Sequence, residues 1–132
     1  MDKNIRKKFE NRIKKADSIQ MIIIIYEILL YYLDTAKKED WDNNLSYADK
    51  CLDELIKSVN FDFCASTEIL SVYSYCKQRL NITRIKKDPE MLVEIEQIIN
   101  KYLTTYKILE EGLPKSSQSN GYIIYNKFGQ IN

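Results

Sequence analysis

The chain of 132 residues contains no histidine, and none of its three glycines precedes Gly112. Each shortage excludes something. Without histidine there is no imidazole base and no Cys–His nucleophile, and a zinc site is not expected. Without glycine in the body of the chain there is no Gly-rich phosphate loop. Proline occurs twice, as Pro89 and Pro114, so little interrupts a helical chain. Cysteine is sparse and odd in number, with no C-x-x-C pair. Cys51, Cys64 and Cys76 therefore read as small core residues in a reducing, cytosolic compartment. A net charge of +1 gives no reason to expect a nucleic-acid partner. No enzyme, cofactor or metal is expected.

What is abundant is apolar surface. The stretch MIIIIYEILLYYL, Met21 to Leu33, carries one charge, Glu27. It is shorter than the ~20 apolar residues that span a bilayer. Glu27 inside it and Asp34 after it argue further against membrane insertion. The basic N-terminus MDKNIRKKFENRIKK has no apolar segment and cleavage site behind it, so it is not read as a secretory signal. Residues 1–16 hold seven basic and two acidic side chains, whereas residues 34–58 hold four and seven.

The apolar positions repeat with helical spacing. Ile19, Ile22, Tyr26, Leu29, Leu33 and Ala36 make one seam, and Leu45, Ala48, Leu52, Leu55 and Val59 a second. Ile69, Tyr73, Cys76 and Leu80 make a third; Leu92, Ile95, Ile99, Tyr102, Tyr106 and Leu109 a fourth. One apolar stripe per helix, with short connections, predicts an all-α fold: an antiparallel four-helix bundle over residues 17–112. Residues 1–16 form a basic N-terminal arm or short helix, with Ile5, Phe9 and Ile13 on one side. Residues 113–132 are expected to be a flexible C-terminal tail.

The predicted boundaries have chemical causes. Asp17 and Gln20 suit a capping box. Asp42 or Asn43 is expected to start the second long helix, and Ser66 or Thr67 the third. Asp88-Pro89-Glu90 supplies a cap, a first-turn proline and an acid for the fourth. EGLP at 111–114 is a stop signal.

The first long helix is apolar on more than the bundle side. At about 100° per residue, Ile19, Ile22, Ile23, Tyr26, Leu29, Leu30 and Leu33 share one arc. Met21, Ile24, Ile25, Ile28, Tyr31 and Tyr32 cover much of the rest, leaving Gln20, Glu27 and Asp34 as a polar strip. Two readings stay open. The helix is central and covered by its own chain, or its second face lines a groove for another polypeptide. In the second reading the groove residues are Ile24, Ile25, Ile28, Tyr31 and Tyr32, with Phe9 of the arm as a displaceable cover.

ADSIQMIIIIYEIL, Ala16 to Leu29, resembles the Ala-Ser-Pro-Glu-Glu-Leu-Ile-x-Met-Leu-Tyr-Asp-Gly-Ala motif of the FliS family of flagellar export chaperones. Asp17 falls on the capping serine, Gln20 on the second glutamate, and Tyr26 and Glu27 on the Tyr-Asp pair. ILSVYSYCKQRLNITRIKKDPEML is similar to the family's Leu-x-x-Leu-Tyr-x-Tyr-Met-x-x-Arg-Leu followed by Lys-Asp. Tyr73, Tyr75, Arg79, Leu80 and Asp88 fall on those positions. Ser18 stands in place of the family proline, Ile28 of the glycine, and Tyr106 of a frequent tryptophan. The likeness covers about residues 9–110. It implies a cytosolic chaperone for the C-terminal segment of flagellin, which delays polymerisation and serves the flagellar export apparatus. The implied chaperone is a monomer or weak homodimer. A self-associating structural bundle, or a paralogue with another client, remains the alternative.

Overall fold

The computed structural model describes residues 1–59 and 64–112, the side chains of 64–66 excepted. Five helices follow in order: α1 (Lys3–Lys15), α2 (Ser18–Ala36), α3 (Trp41–Lys57), α4 (Cys64–Lys86) and α5 (Leu92–Gly112). Among the described residues there is no strand. The predicted C-terminal tail, 113–132, lies outside the described residues, as does Pro114 of the stop signal.

The helices begin where local chemistry satisfies their first amides. Asp17 accepts from the Gln20 amide at 2.9 Å, and Gln20 Oε1 accepts from the Asp17 amide at 3.1 Å, closing the capping box of α2. Asp88 accepts from the Glu90 amide at the head of a short 3-10 turn, Pro89–Met91, that leads into α5. Lys87, at φ 54°, ends α4 in left-handed geometry, its amide donating to Thr83 at 2.9 Å.

Two starts differ from expectation. α3 begins at Trp41 rather than after Asp42 or Asn43, with Asp40 as its N-cap at φ 46°. The Asp40 side chain makes no cap bond. Buried Asn44 instead donates from Nδ2 to the carbonyls of Glu39 and Asp40, at 2.9 and 3.0 Å, fixing the tight turn. α4 is already helical at Cys64, ahead of Ser66 and Thr67.

Burial follows the seams. All the named seam positions of α2, α3 and α4 are buried, as are those of α5 except half-buried Tyr102. α2 packs against α3, α5 and α1; α3 also meets α4, and α4 meets α5. At the centre Tyr26, Tyr73 and Tyr106 are fully buried. The Tyr26 and Tyr73 hydroxyls lie 2.5 Å apart, and the Tyr26 and Tyr106 rings meet edge-on at 5.7 Å. By length and composition α2 can cross a membrane, yet its Ile19, Tyr26, Leu29 and Leu33 are fully enclosed by other helices.

Polar ties join the ends. Trp41 Nε1 donates to the Arg84 carbonyl at 3.2 Å, and Arg84 approaches Asp42 at 3.5 Å, so α3 starts against the last turn of α4. Lys77 of α4 bridges Asp49 and Asp53 of α3 at 2.9 and 2.6 Å, and Lys37 pairs with Glu96 of α5.

Candidate functional site

The outer face of α2 divides into a covered part and an open part. Ile24 is 2 % exposed, yet it lies outside the contiguous core around Tyr26. It shares its helix face with Ile28, Tyr31 and Thr35, one, two and three turns on. α1 packs against α2. Arg12 of α1 reaches Glu27 at 2.5 Å, and Arg6 comes close enough to act electrostatically on the Tyr32 hydroxyl. The arm therefore crosses α2 obliquely, with Glu27 on one flank and Tyr32 on the other.

Beside this cover runs an open groove of about 270 Å³ between α2 and α3. Ile25, Ile28 and Tyr32 line it from α2; Tyr47, Lys50, Cys51 and Glu54 line it from α3. The Tyr32 and Tyr47 rings stack at 5.2 Å with 30° between planes, and Lys50 lies 5.3 Å from the Tyr47 ring centre. Burial pushes the Tyr32 hydroxyl's pKa up, with Cys51 and Tyr47 adding to it and Arg6 pulling it back. Burial also pushes the Cys51 thiol up to about 12, helped by nearby Glu54, so it stays protonated and unreactive at neutral pH. The floor is apolar and its rim carries one cation and one carboxylate, a surface for apolar side chains rather than for chemistry.

The five residues predicted for this face thus part company. Ile25, Ile28 and Tyr32 meet in the groove. Ile24 is buried, on the side of α2 that Arg6 and Arg12 of α1 reach, and residue spacing alone does not show which face an arm will cover. Tyr31 turns to the other side, its ring edge-on to Tyr32 at 5.7 Å, and lines a polar cleft with Met1, Asp2 and Thr35. Phe9 is half-buried on α1, with the Arg12 guanidinium 5.8 Å from its ring centre. Missing from the predicted set were Tyr47 and Cys51. The signal was there: Tyr47 and Cys51 are one turn apart and off the seam of α3 by one residue.

A second apolar groove, about 330 Å³, lies between α4 and α5, lined by Ser71, Val72, Tyr75, Ile98, Lys101 and Tyr102. Here Tyr102 leaves the core to line the surface, while Leu103 beside it is buried. Among the described residues, no group of histidine, cysteine or carboxylate side chains is arranged to hold a metal.

Compared with curated proteins, the chain matches none. The family model described as flagellar protein FliS matches residues 1–112, which include all five helices. On that match the chain belongs to the FliS family, non-enzymatic chaperones of flagellar export.

Proposed function

We propose that this protein is a cytosolic chaperone that binds the C-terminal segment of flagellin along the grooves beside α2 and α4. In this reading it keeps the subunit from polymerising early and presents it to the flagellar export apparatus. The body is an antiparallel four-helix bundle of α2 to α5. The pairing of α2 with α3, α3 with α4, α4 with α5 and α5 with α2 supports that arrangement.

One observation carries the reading beyond the family. Ile25, Ile28 and Tyr32 stay partly exposed around a groove although the core behind them is closed. An amphipathic client helix fills such a groove with apolar anchors spaced by a turn. The neighbouring Ile24 is buried on the side of α2 that Arg6 and Arg12 of α1 reach, and none of α1's own residues is fully buried. A cover held that shallowly can be displaced, and Phe9 leaves with it, between Ile5 and Ile13 on the same side of α1. The client then gains the surface that the arm gives up, at the cost of ordering a disordered segment.

Mixing the full chain with the C-terminal segment of the host's flagellin tests this. A 1:1 complex with increased helicity is expected. No binding at high micromolar concentration removes flagellin as the client. The client-free chain is expected to be a monomer or weak homodimer; a tight dimer in light scattering favours self-association instead.

A further inference from the structure

The outer surface of α1 is strongly basic, and nothing in the function proposed above uses its charge. Seven of its thirteen residues are basic: Lys3, Arg6, Lys7, Lys8, Arg12, Lys14 and Lys15. All seven are exposed, and Glu10 is the helix's one acid. The remainder of the chain is net acidic, since the whole carries only +1. The basic charge is therefore concentrated on one 13-residue helix.

The order around the helix is as informative as the count. At about 100° per residue, Ile5, Phe9 and Ile13 form one narrow stripe. Arg12 and Arg6 flank that stripe on its two sides, and the five lysines occupy the opposite half. Long cationic side chains flanking an apolar stripe are what a helix needs to lie in a lipid interface. The stems lie along the apolar boundary while their heads reach the phosphates.

We propose that α1 is a docking arm for an anionic lipid surface, lying on the membrane rather than spanning it. Charge complementarity selects this occupant. With the stripe in the interface, Arg6 and Arg12 at its edges lie at the depth of the phosphates, and the five lysines add the net positive charge that draws the helix to an anionic surface. An acidic peptide would engage the charges alone, whereas a lipid surface takes the charges and the apolar stripe together. The stripe of Ile5, Phe9 and Ile13 then enters the interface, so the arm cannot cover Ile24 and lie on lipid at once. Membrane docking and uncovering of the α2 face are the same movement.

Vesicle sedimentation with the full chain tests it. Binding to phosphatidylglycerol vesicles is expected, with little to phosphatidylcholine vesicles, and the binding should weaken steeply as salt rises. The triple replacement Lys3→Gln, Lys7→Gln, Lys14→Gln, at exposed positions, should keep the helical circular dichroism and lower vesicle binding at least about tenfold. Phe9→Ser, which leaves the charge intact, should lower it several-fold. No binding to phosphatidylglycerol overturns the proposal, as does unchanged binding by either variant. Retention on polyglutamate without vesicle binding overturns it too, and assigns the patch to an acidic protein.

Discussion

Arg12 in α1 meets Glu27 in α2 at 2.5 Å, and Lys107 in α5 approaches the same carboxylate at 3.9 Å. One acid, the sole charge in the long apolar run, thereby ties the arm to the bundle. Arg12 is 47 % exposed, so solvent screens the pair heavily and it contributes at most about 1 kcal/mol. Arg12→Ala should accordingly leave the global melting transition almost unchanged. Hydrogen exchange should quicken in the α1 amides alone, because that helix has no fully buried residue to hold it. Faster exchange throughout α2 would mean that the arm is part of the core.

The buried tyrosine pair makes a sharper demand on stability. The Tyr26 and Tyr73 hydroxyls, 2.5 Å apart, share a hydrogen bond inside the bundle. Removing either by Tyr26→Phe or Tyr73→Phe takes a buried partner from the other, at a cost of about 1–3 kcal/mol. The double replacement should cost less than the sum of the two, as measured by urea unfolding. Strict additivity would show that the contact carries no coupling.

Alkaline pH should unfold the protein early. Burial pushes the Tyr26 hydroxyl well above its ordinary value, with Tyr73 and Tyr106 adding to the shift. Burial also raises the Cys76 thiol to about 11 and the Cys51 thiol to about 12, from a usual 9.0. Each group keeps its proton in the folded chain after the unfolded chain has lost it. Their contribution is thus intact below pH 9 and is lost as pH rises through the folded values. Above pH 9 for the two thiols, and above pH 10 for Tyr26, the stability should fall by up to about 1.4 kcal/mol per pH unit for each group. Unfolding free energies measured between pH 7 and 11 check this, and Cys76→Ala should shallow the slope. A flat profile to pH 11 contradicts it.

Two isoleucines one turn apart should behave differently. Ile24 is enclosed, so Ile24→Asp buries a carboxylate and should cost about 3–5 kcal/mol. Ile28 is only half-buried at the groove edge, so Ile28→Asp should cost about 1 kcal/mol. Thermal unfolding of both variants separates them. Equal, severe loss in both would mean that the whole α2 surface is core.

The helices were legible because each seam is a local pattern, repeated every three or four residues. The start of α3 was not. It turns on Asp40 adopting φ 46° and on Asn44 reaching back to two carbonyls, a geometry that outweighs the ordinary cap preference of Asp42. The second apolar face was visible in α2, but its fate was not. Whether Ile24 is open depends on where α1 lies, and α1 is placed by Arg12 and Glu27, fifteen residues apart in sequence. Likewise, half of the groove comes from Tyr47 and Cys51, which no periodicity within α2 can reveal. Tyr102 shows the same limit, since its seam position is occupied in the core by neighbouring Leu103.

The central claim is that the groove edged by Ile28 receives flagellin. Calorimetric titration of the flagellin C-terminal segment into the wild-type chain and into folded Ile28→Asp tests it most directly. A carboxylate set among the client's apolar anchors should weaken binding at least about a hundredfold, with the stoichiometry near one in the wild type. Equal affinity for the two proteins would contradict the account and place the client elsewhere on the bundle.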